Sequence, residues 1–282
     1  MSQERITTLL SENRSYLPPE HGKTSAWVCG PEEYNALCSR ALEDPNDFWG
    51  ARASQLIHWF KRWDKVLDAD EVNHKYKWFT GGVLNASFNC IDRHLISGRR
   101  NKAALIWQGE PTEEVDVYTY QRLHREVCKA ANMLRRLGVR KGDRVVLYMP
   151  MTIEGVVAMQ ACARLGATHS VVFGGFSAKA VQERIVDVGA TLVITSNYQM
   201  RGGKELPLKA IVDDALALGS CEAVKTVLVY ERTATACNMV AGRDLTFTEA
   251  LAGQSTDCAP VAVNAEHPLF ILYTSRSEER RV

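Results

Sequence analysis

Three short segments of this 282-residue chain combine residue types suited to holding an anion. Phe173-Gly174-Gly175-Phe176-Ser177 sets two glycines between an apolar run and a serine able to cap a helix. Such a turn lets a ligand approach the backbone closely and offers helix amide hydrogens to a negative group. It serves equally as a turn that simply needs positive φ, and the residues alone do not choose between the two. Arg201-Gly202-Gly203-Lys204 places a guanidinium and an ammonium two flexible residues apart, a spacing able to grip a phosphate from two sides. On spacing alone a solvated basic turn is the simpler reading. Tyr273-Thr274-Ser275 ends an apolar run where a phosphate loop would begin. The remaining residues, Arg276-Ser277-Glu278-Glu279-Arg280-Arg281-Val282, include no glycine, and the adjacent glutamates would repel a triphosphate.

Other chemistries find no residues to carry them. Neither G-x-G-x-x-G after a strand nor G-x-x-x-x-G-K-[ST] occurs, and no G-x-S-x-G elbow marks a hydrolase serine. The seven histidines do not fall at metal-ligand spacing. Asp92-Arg93-His94 reads as a local ion pair, since three adjacent residues cannot all face one site. Five of the six tryptophans lie in the first hundred residues. Aromatics interleaved with basic residues, as in Ile57-His58-Trp59-Phe60-Lys61-Arg62-Trp63, can stack on single strands, but docking against a neighbouring core is expected here. The formal net charge of +1 argues against a nucleic-acid binder. Eight cysteines without a C-x-x-C pair read as free thiols of a reducing cytoplasm. No apolar run approaches the roughly 20 residues needed to span a bilayer, and the polar start Met1–Ile6 lacks a signal-peptide core, so neither membrane insertion nor export is expected.

The elements that must position these segments alternate regularly from about Lys102. Strands are predicted at 103–107, 115–118, 145–149, 169–173, 191–195, 226–230 and 269–274. Helices are predicted after Thr119, from Ile153 to Leu165, after Ser177 to Asp187, and from Pro207 to Leu218, with a short one opened by Thr246-Phe247-Thr248-Glu249. Strands apolar throughout, separated by amphipathic helices, imply an α/β fold: a doubly wound, mainly parallel sheet with helices on both faces. In such sheets ligands bind at the carboxyl ends of the strands, which singles out the loops after Tyr148, Phe173, Thr195 and Tyr273.

The three anion segments, in this order, resemble the AMP-forming acetyl-CoA synthetases of the adenylate-forming superfamily. The likeness runs from about Pro31 to Ser275 and includes Lys77-Trp78-Phe79, Leu84-Asn85, Asn89-Cys90-Ile91-Asp92-Arg93-His94 and Gly142-Asp143-Arg144-Val145. It continues through His169 to Ser177, Arg201-Gly202-Gly203-Lys204 and Pro268 to Ser275. The resemblance implies activation of acetate by ATP through acetyl-AMP, followed by transfer to coenzyme A, with Mg2+ as cofactor; propionate is the alternative acyl group. It implies that Phe173, Gly174 and Gly175 pack against the coenzyme A nucleotide, that Arg201 and Lys204 hold its phosphates, and that Thr274 and Ser275 open the ATP phosphate loop.

It also implies an aromatic-rich N-terminal extension (1–100) packing on the main domain, a partial AMP-binding domain (101–275) and a divergent tail (276–282). The family continues Tyr-Thr-Ser into Gly-Ser-Thr-Gly-Lys-Pro-Lys-Gly, where this chain has Arg276 and a run unrelated apart from Ser277, a pattern expected of a shifted reading frame or a misassembled gene end. The acyl pocket, magnesium ligand and catalytic lysine of the family would lie beyond Val282. The chain as written is therefore expected to be inactive alone; a non-catalytic fragment that retains a site for the coenzyme A nucleotide is the alternative reading.

Overall fold

The computed structural model describes residues 16, 19, 22, 25–111 and 113–274, so Ser275 and the tail after it lie outside the described residues. The chain divides into two compact units, one ending at Ala53 and one beginning at Ser54. In the first, α1 (Pro31–Glu43) opens on a proline at its first position with Glu32 and Glu33 in the first turn. Both choices suit a helix start: the missing proline N–H is not needed there, and carboxylates favour the positive end of the helix dipole. Next, α2 (Pro45–Leu56) buries Gly50 and Ala53.

The first strands of the second unit form an antiparallel hairpin of β1 (Lys65–Asp70) and β2 (Lys75–Thr80), followed by β3 (Val83–Leu84), a π turn at Phe88–Asp92 and α3 (Arg93–Ile96). Trp59, Trp63 and Phe79 pack ring on ring at 4.9–5.4 Å. A second hairpin comes next, β4 (Ala103–Gln108) and β5 (Val115–Thr119), which pair with each other and not with the main sheet. From there the elements are α4 (Tyr120–Arg136), β6 (Arg144–Met149), α5 (Ile153–Leu165), β7 (Thr168–Phe173), α6 (Ala178–Val188) and β8 (Leu192–Ser196). The chain continues through β9 (Gln199–Arg201), β10 (Lys204–Leu206), α7 (Leu208–Ala217), β11 (Thr226–Tyr230), β12 (Asp244–Thr246) and α8 (Phe247–Leu251). It closes with β13 (Val263–Asn264), which pairs back onto β3, and β14 (Phe270–Ile271).

Six strands form one sheet in the order β12-β11-β8-β6-β7-β14, every pairing parallel. Alternation along β6 divides its side chains between two cores. Val145, Leu147 and Met149 join Leu123, Val127 and Leu134 of α4 and Val157 of α5 on one face. Val146 and Tyr148 join Val181 and Ile185 of α6 and Leu208 and Val212 of α7 on the other. With both faces covered, β6 has no polar side to show, which is why its sequence reads as continuously apolar; each such side chain contributes about 1.5–3 kcal/mol on burial. This is the doubly wound α/β layer expected from the sequence.

The helix caps agree with the sequence too: Thr119 Oγ1 accepts from the Arg122 amide, Ser177 Oγ from Ala180 and Thr246 Oγ1 from Glu249, at 3.2–3.3 Å. Three features differ. The run 269–274 is a strand only at Phe270–Ile271; the segment after β8 folds into the β9–β10 hairpin; and Asp244–Thr246 adds an edge strand ahead of its helix. Such short strands carry too few residues for a period to show. Among the described residues no helix is long and apolar enough to cross a membrane.

Candidate functional site: a glycine turn facing a basic hairpin

The strand order places the first two anion segments opposite each other. From β6 the chain steps to β7 on one side and then returns to β8 on the other. The loops after β7 and β8 therefore leave the carboxyl edge on either side of β6, the switch point where such sheets hold ligands.

After β7 the chain turns through Gly174 and Gly175 into Ser177 and α6. The Phe176 amide donates to the Phe173 carbonyl at 3.1 Å. Tyr148, near the end of β6, supports the turn from below: its hydroxyl accepts from the Gly175 amide at 3.1 Å and donates to the Phe176 carbonyl at 2.8 Å. Burial pushes the Tyr148 phenol above its ordinary pKa, so it stays a donor. Gln199 Nε2 donates to the Gly174 carbonyl at 3.1 Å. Gly175 has φ +117°, a conformation open to glycine and strained for other residues. The turn thus needs its glycine conformationally, and it also leaves backbone open to a close approach.

Across the crevice, Gly202 (φ +59°) and Gly203 (φ +70°) form the two-residue tip of the β9–β10 hairpin. Left-handed conformation at both central positions is the type I′ geometry that matches strand twist. The register sets Arg201 opposite Lys204 and Gln199 opposite Leu206, so all four belong to one face of the hairpin. That face meets the glycine turn. A Cβ added to Gly175 would lie 2.7 Å from Arg201 Nη1, 3.7 Å from Leu206 Cδ2 and 4.0 Å from Gln199 Nε2. The Arg201 guanidinium lies 5.5 Å over the Phe173 ring, within range of a cation–π contact. A cavity of about 320 Å3 opens beside it, lined by Trp107, Met149, Phe173, Gly174, Arg201 and Arg232 among others.

Of the sequence-predicted residues, Phe173, Gly174, Gly175 and Arg201 are therefore brought together, and Lys204 shares the face of Arg201. Thr274 comes directly after Tyr273, whose ring and that of Phe176 both carry the Arg184 guanidinium, at 4.8 and 5.2 Å. The Tyr273 hydroxyl also donates to Asp187, and burial together with that carboxylate leaves its phenol pushed up to about 12. Ser275 lies outside the described residues. Sequence reasoning missed Tyr148, Gln199 and Arg184. Tyr148 is the one side chain with a polar end inside the apolar run 145–149, a signal that could have marked it.

Asp92-Arg93-His94 is not a local pair, a correction to the sequence reading. Asp92 accepts two hydrogen bonds from Arg164, at 2.7 and 2.9 Å, and lies 3.3 Å from His124 Nε2. Arg93 instead donates to the Leu56 carbonyl, and His94 lies against the Tyr120 ring at 4.5 Å. Consecutive residues of a helical turn point apart, so each found a partner elsewhere. Burial raises the Asp92 carboxyl, and hydrogen bonds from His124 and Arg164 outweigh it, leaving its pKa below the usual value. The Asp92 hydrogen bond, with a lesser one to Cys128, pushes His124 up to about 9. Cys128, beside this group, is fully buried, with its sulfur 3.6 Å from His124 Nε2, the nitrogen that also faces Asp92, and 3.9 Å from Nδ1.

Comparison with known proteins bears on this geometry. A model of AMP-binding enzymes matches residues 93–277, and a model of the acetyl-coenzyme A synthetase N-terminus matches residues 34–90. The acetyl-coenzyme A synthetase of Cupriavidus pinatubonensis is 56% identical over 96% of this chain and 41% of its own length. That of Herminiimonas arsenicoxydans is 50% identical over the same shares. The solved structure of acetoacetyl-CoA synthetase from Streptomyces lividans superposes with a TM-score of 0.77 at 25% identity, covering 90% of this chain and 38% of that one. The chain thus spans well under half the length of the curated relatives it matches. The family model covers more than half of the residues, including both faces of the crevice, and on that ground the chain belongs to the family of AMP-binding enzymes.

Proposed function

We propose that this chain supplies the coenzyme A nucleotide site of an ATP-dependent acetate–CoA ligase. The observation that carries the reading is the approach of Arg201 to Phe173 and Gly175, two segments far apart in sequence that share one corner of the crevice. Arg201 and Lys204 would hold the phosphates of the nucleotide as charge-assisted partners. The Phe173 ring and the backbone of Gly174 and Gly175 would lie against its base and sugar. Thr274 and Ser275 would begin the loop that receives the phosphates of ATP. In the whole reaction acetate attacks the α-phosphorus, releasing pyrophosphate and giving acetyl-AMP, and the thiol of coenzyme A then displaces AMP. Magnesium would enter with ATP; among the described residues no group of three or more His, Cys, Asp or Glu is arranged to hold a metal, and none is assigned that role. The eight free thiols favour the cytoplasm as its location.

Calorimetric titration of coenzyme A into the 282-residue chain tests the reading. Binding that weakens about tenfold in Arg201→Ala at low salt, and by less at high salt, is the expected result. No binding by the unaltered chain would remove the proposed site. A parallel assay of acetate-dependent pyrophosphate release is expected to be silent, because Arg276 stands where the family it resembles has a glycine and the adjacent charges of Glu278 and Glu279 would repel a triphosphate.

A further inference from the structure

The turn between β4 and β5 reaches the same corner. From it, Glu110 presents its carboxylate to the tip of the β9–β10 hairpin. The Gly202 amide donates to one oxygen at 3.0 Å, and the Gly203 amide donates to the other. Successive amides at a turn of this kind form an anion-binding concavity, and a carboxylate of the chain itself fills this one.

The carboxylate stands on a fixed support. The Gly109 amide donates to the Glu114 carbonyl at 2.7 Å, closing the turn. Glu114 in turn pairs with Arg232, whose guanidinium lies 5.4 Å over the Trp107 ring. One short loop is thereby tied to the segments that come after both β8 and β11. A hairpin with three residues per strand holds itself together weakly. Besides this anchor at its tip, the face bearing Arg201 is held against the glycine turn by Gln199, by the contact of Arg201 with the Phe173 ring and by Leu206, which packs against the core under α6 and α7.

We infer that Glu110 is a positioning residue: its carboxylate pins the Gly202–Gly203 tip and so keeps Arg201 over Phe173 and beside Gly175. The inference rests on the phosphate-holding role proposed for Arg201. Glu110 lines the same cavity as Arg201, and the role inferred for it is exerted through the hairpin. Its opposite, a carboxylate that competes with the ligand phosphate, makes the contrary prediction about affinity.

The test uses the 282-residue chain as Glu110→Ala, Glu110→Gln, Arg201→Ala and the Glu110→Ala/Arg201→Ala double variant. Three quantities are read: the thermal midpoint, hydrogen exchange at the Gly202 and Gly203 amides, and the Kd for coenzyme A. Glu110→Ala is expected to leave the midpoint in place, speed exchange at both glycines, and raise Kd about tenfold, the worth of one charge-assisted hydrogen bond. Glu110→Gln, which keeps one acceptor oxygen, should fall between it and the unaltered chain. In the Arg201→Ala background Glu110→Ala should add nothing to Kd, because the group it positions is gone. Unchanged exchange, unchanged or tighter binding, or losses that simply add would each overturn the inference. If the unaltered chain binds no coenzyme A, the proposed site falls, while the exchange rates still decide whether Glu110 holds the tip.

Discussion

Charged side chains meet two different fates in this molecule. In the sheet's flanks they are buried and matched. Arg164, 2% exposed, is held by Asp92, and Lys209, with no exposed side-chain surface, lies between Asp213 at 2.7 Å and Asp244 at 2.8 Å. Arg243 completes that second group through the same two carboxylates. At the carboxyl edge, by contrast, Arg201 and Lys204 are exposed, and among the described residues no ion pair includes either of them. The carboxylate of Glu110 faces the backbone amides between them. A charge removed from water must be neutralised where it stands, whereas a cation left at the surface needs no such partner. The first arrangement supports the fold, and the second leaves cations at the carboxyl edge with no carboxylate partner among the described residues.

Substitutions can break that contrast. The largest effect is expected from Arg164→Ala, which leaves Asp92 buried without its bidentate partner and should cost about 3–5 kcal/mol in denaturant unfolding. A cost near zero would show that the network is not structural. Gly175→Ala comes next. Its φ of +117° and the 2.7 Å approach to Arg201 predict a loss of about 1–3 kcal/mol together with loss of coenzyme A binding; retention of both would mean that the turn relaxes freely.

Titration sharpens the comparison further. His124 is raised from its ordinary 6.5 to about 9, so its protonated form is favoured by folding. Its contribution to stability is full below pH 6.5 and is lost as pH rises through about 9. The unfolding free energy of the unaltered chain should fall across that window, and that of His124→Gln should not. Burial pushes His169 the other way, to about 4, and among the described residues its Nδ1 has no hydrogen-bond partner. Being kept neutral, it should lower stability as pH falls from 6.5 toward 4, a fall absent in His169→Phe. The smallest effect on stability is expected from Arg201→Ala, within about 0.5 kcal/mol, although coenzyme A affinity should drop. A stability loss as large as that of Arg164→Ala would erase the distinction between the two kinds of charge.

Much of the layer was legible because its signals are local. The run Val145–Met149, the spacing of Leu123, Val127 and Leu134, and the capping residues Thr119, Ser177 and Thr246 are each read within a few positions, and all lie where expected. The β9–β10 hairpin was not legible as strands, since three residues cannot show a period of two, although its Gly-Gly tip marks a turn. The partners of Asp92 were not legible either. Arg164 and His124 lie on helices remote in sequence, and only their packing against one sheet face brings them to it.

The residues by themselves determined the alternation of strands and helices, the two-sided burial that makes the sheet parallel, and the residue types at the glycine turn and the basic tip. These arise from propensity, periodicity and capping, which act between near neighbours in the chain. Tertiary structure alone decided that the turn after β7 and the hairpin after β8 face each other across β6, that Tyr148 and Gln199 hold the turn, and that Glu110 reaches the hairpin tip. Those outcomes depend on strand order and on side chains meeting from distant segments, and strand order is a property of the folded sheet that no local stretch of sequence encodes.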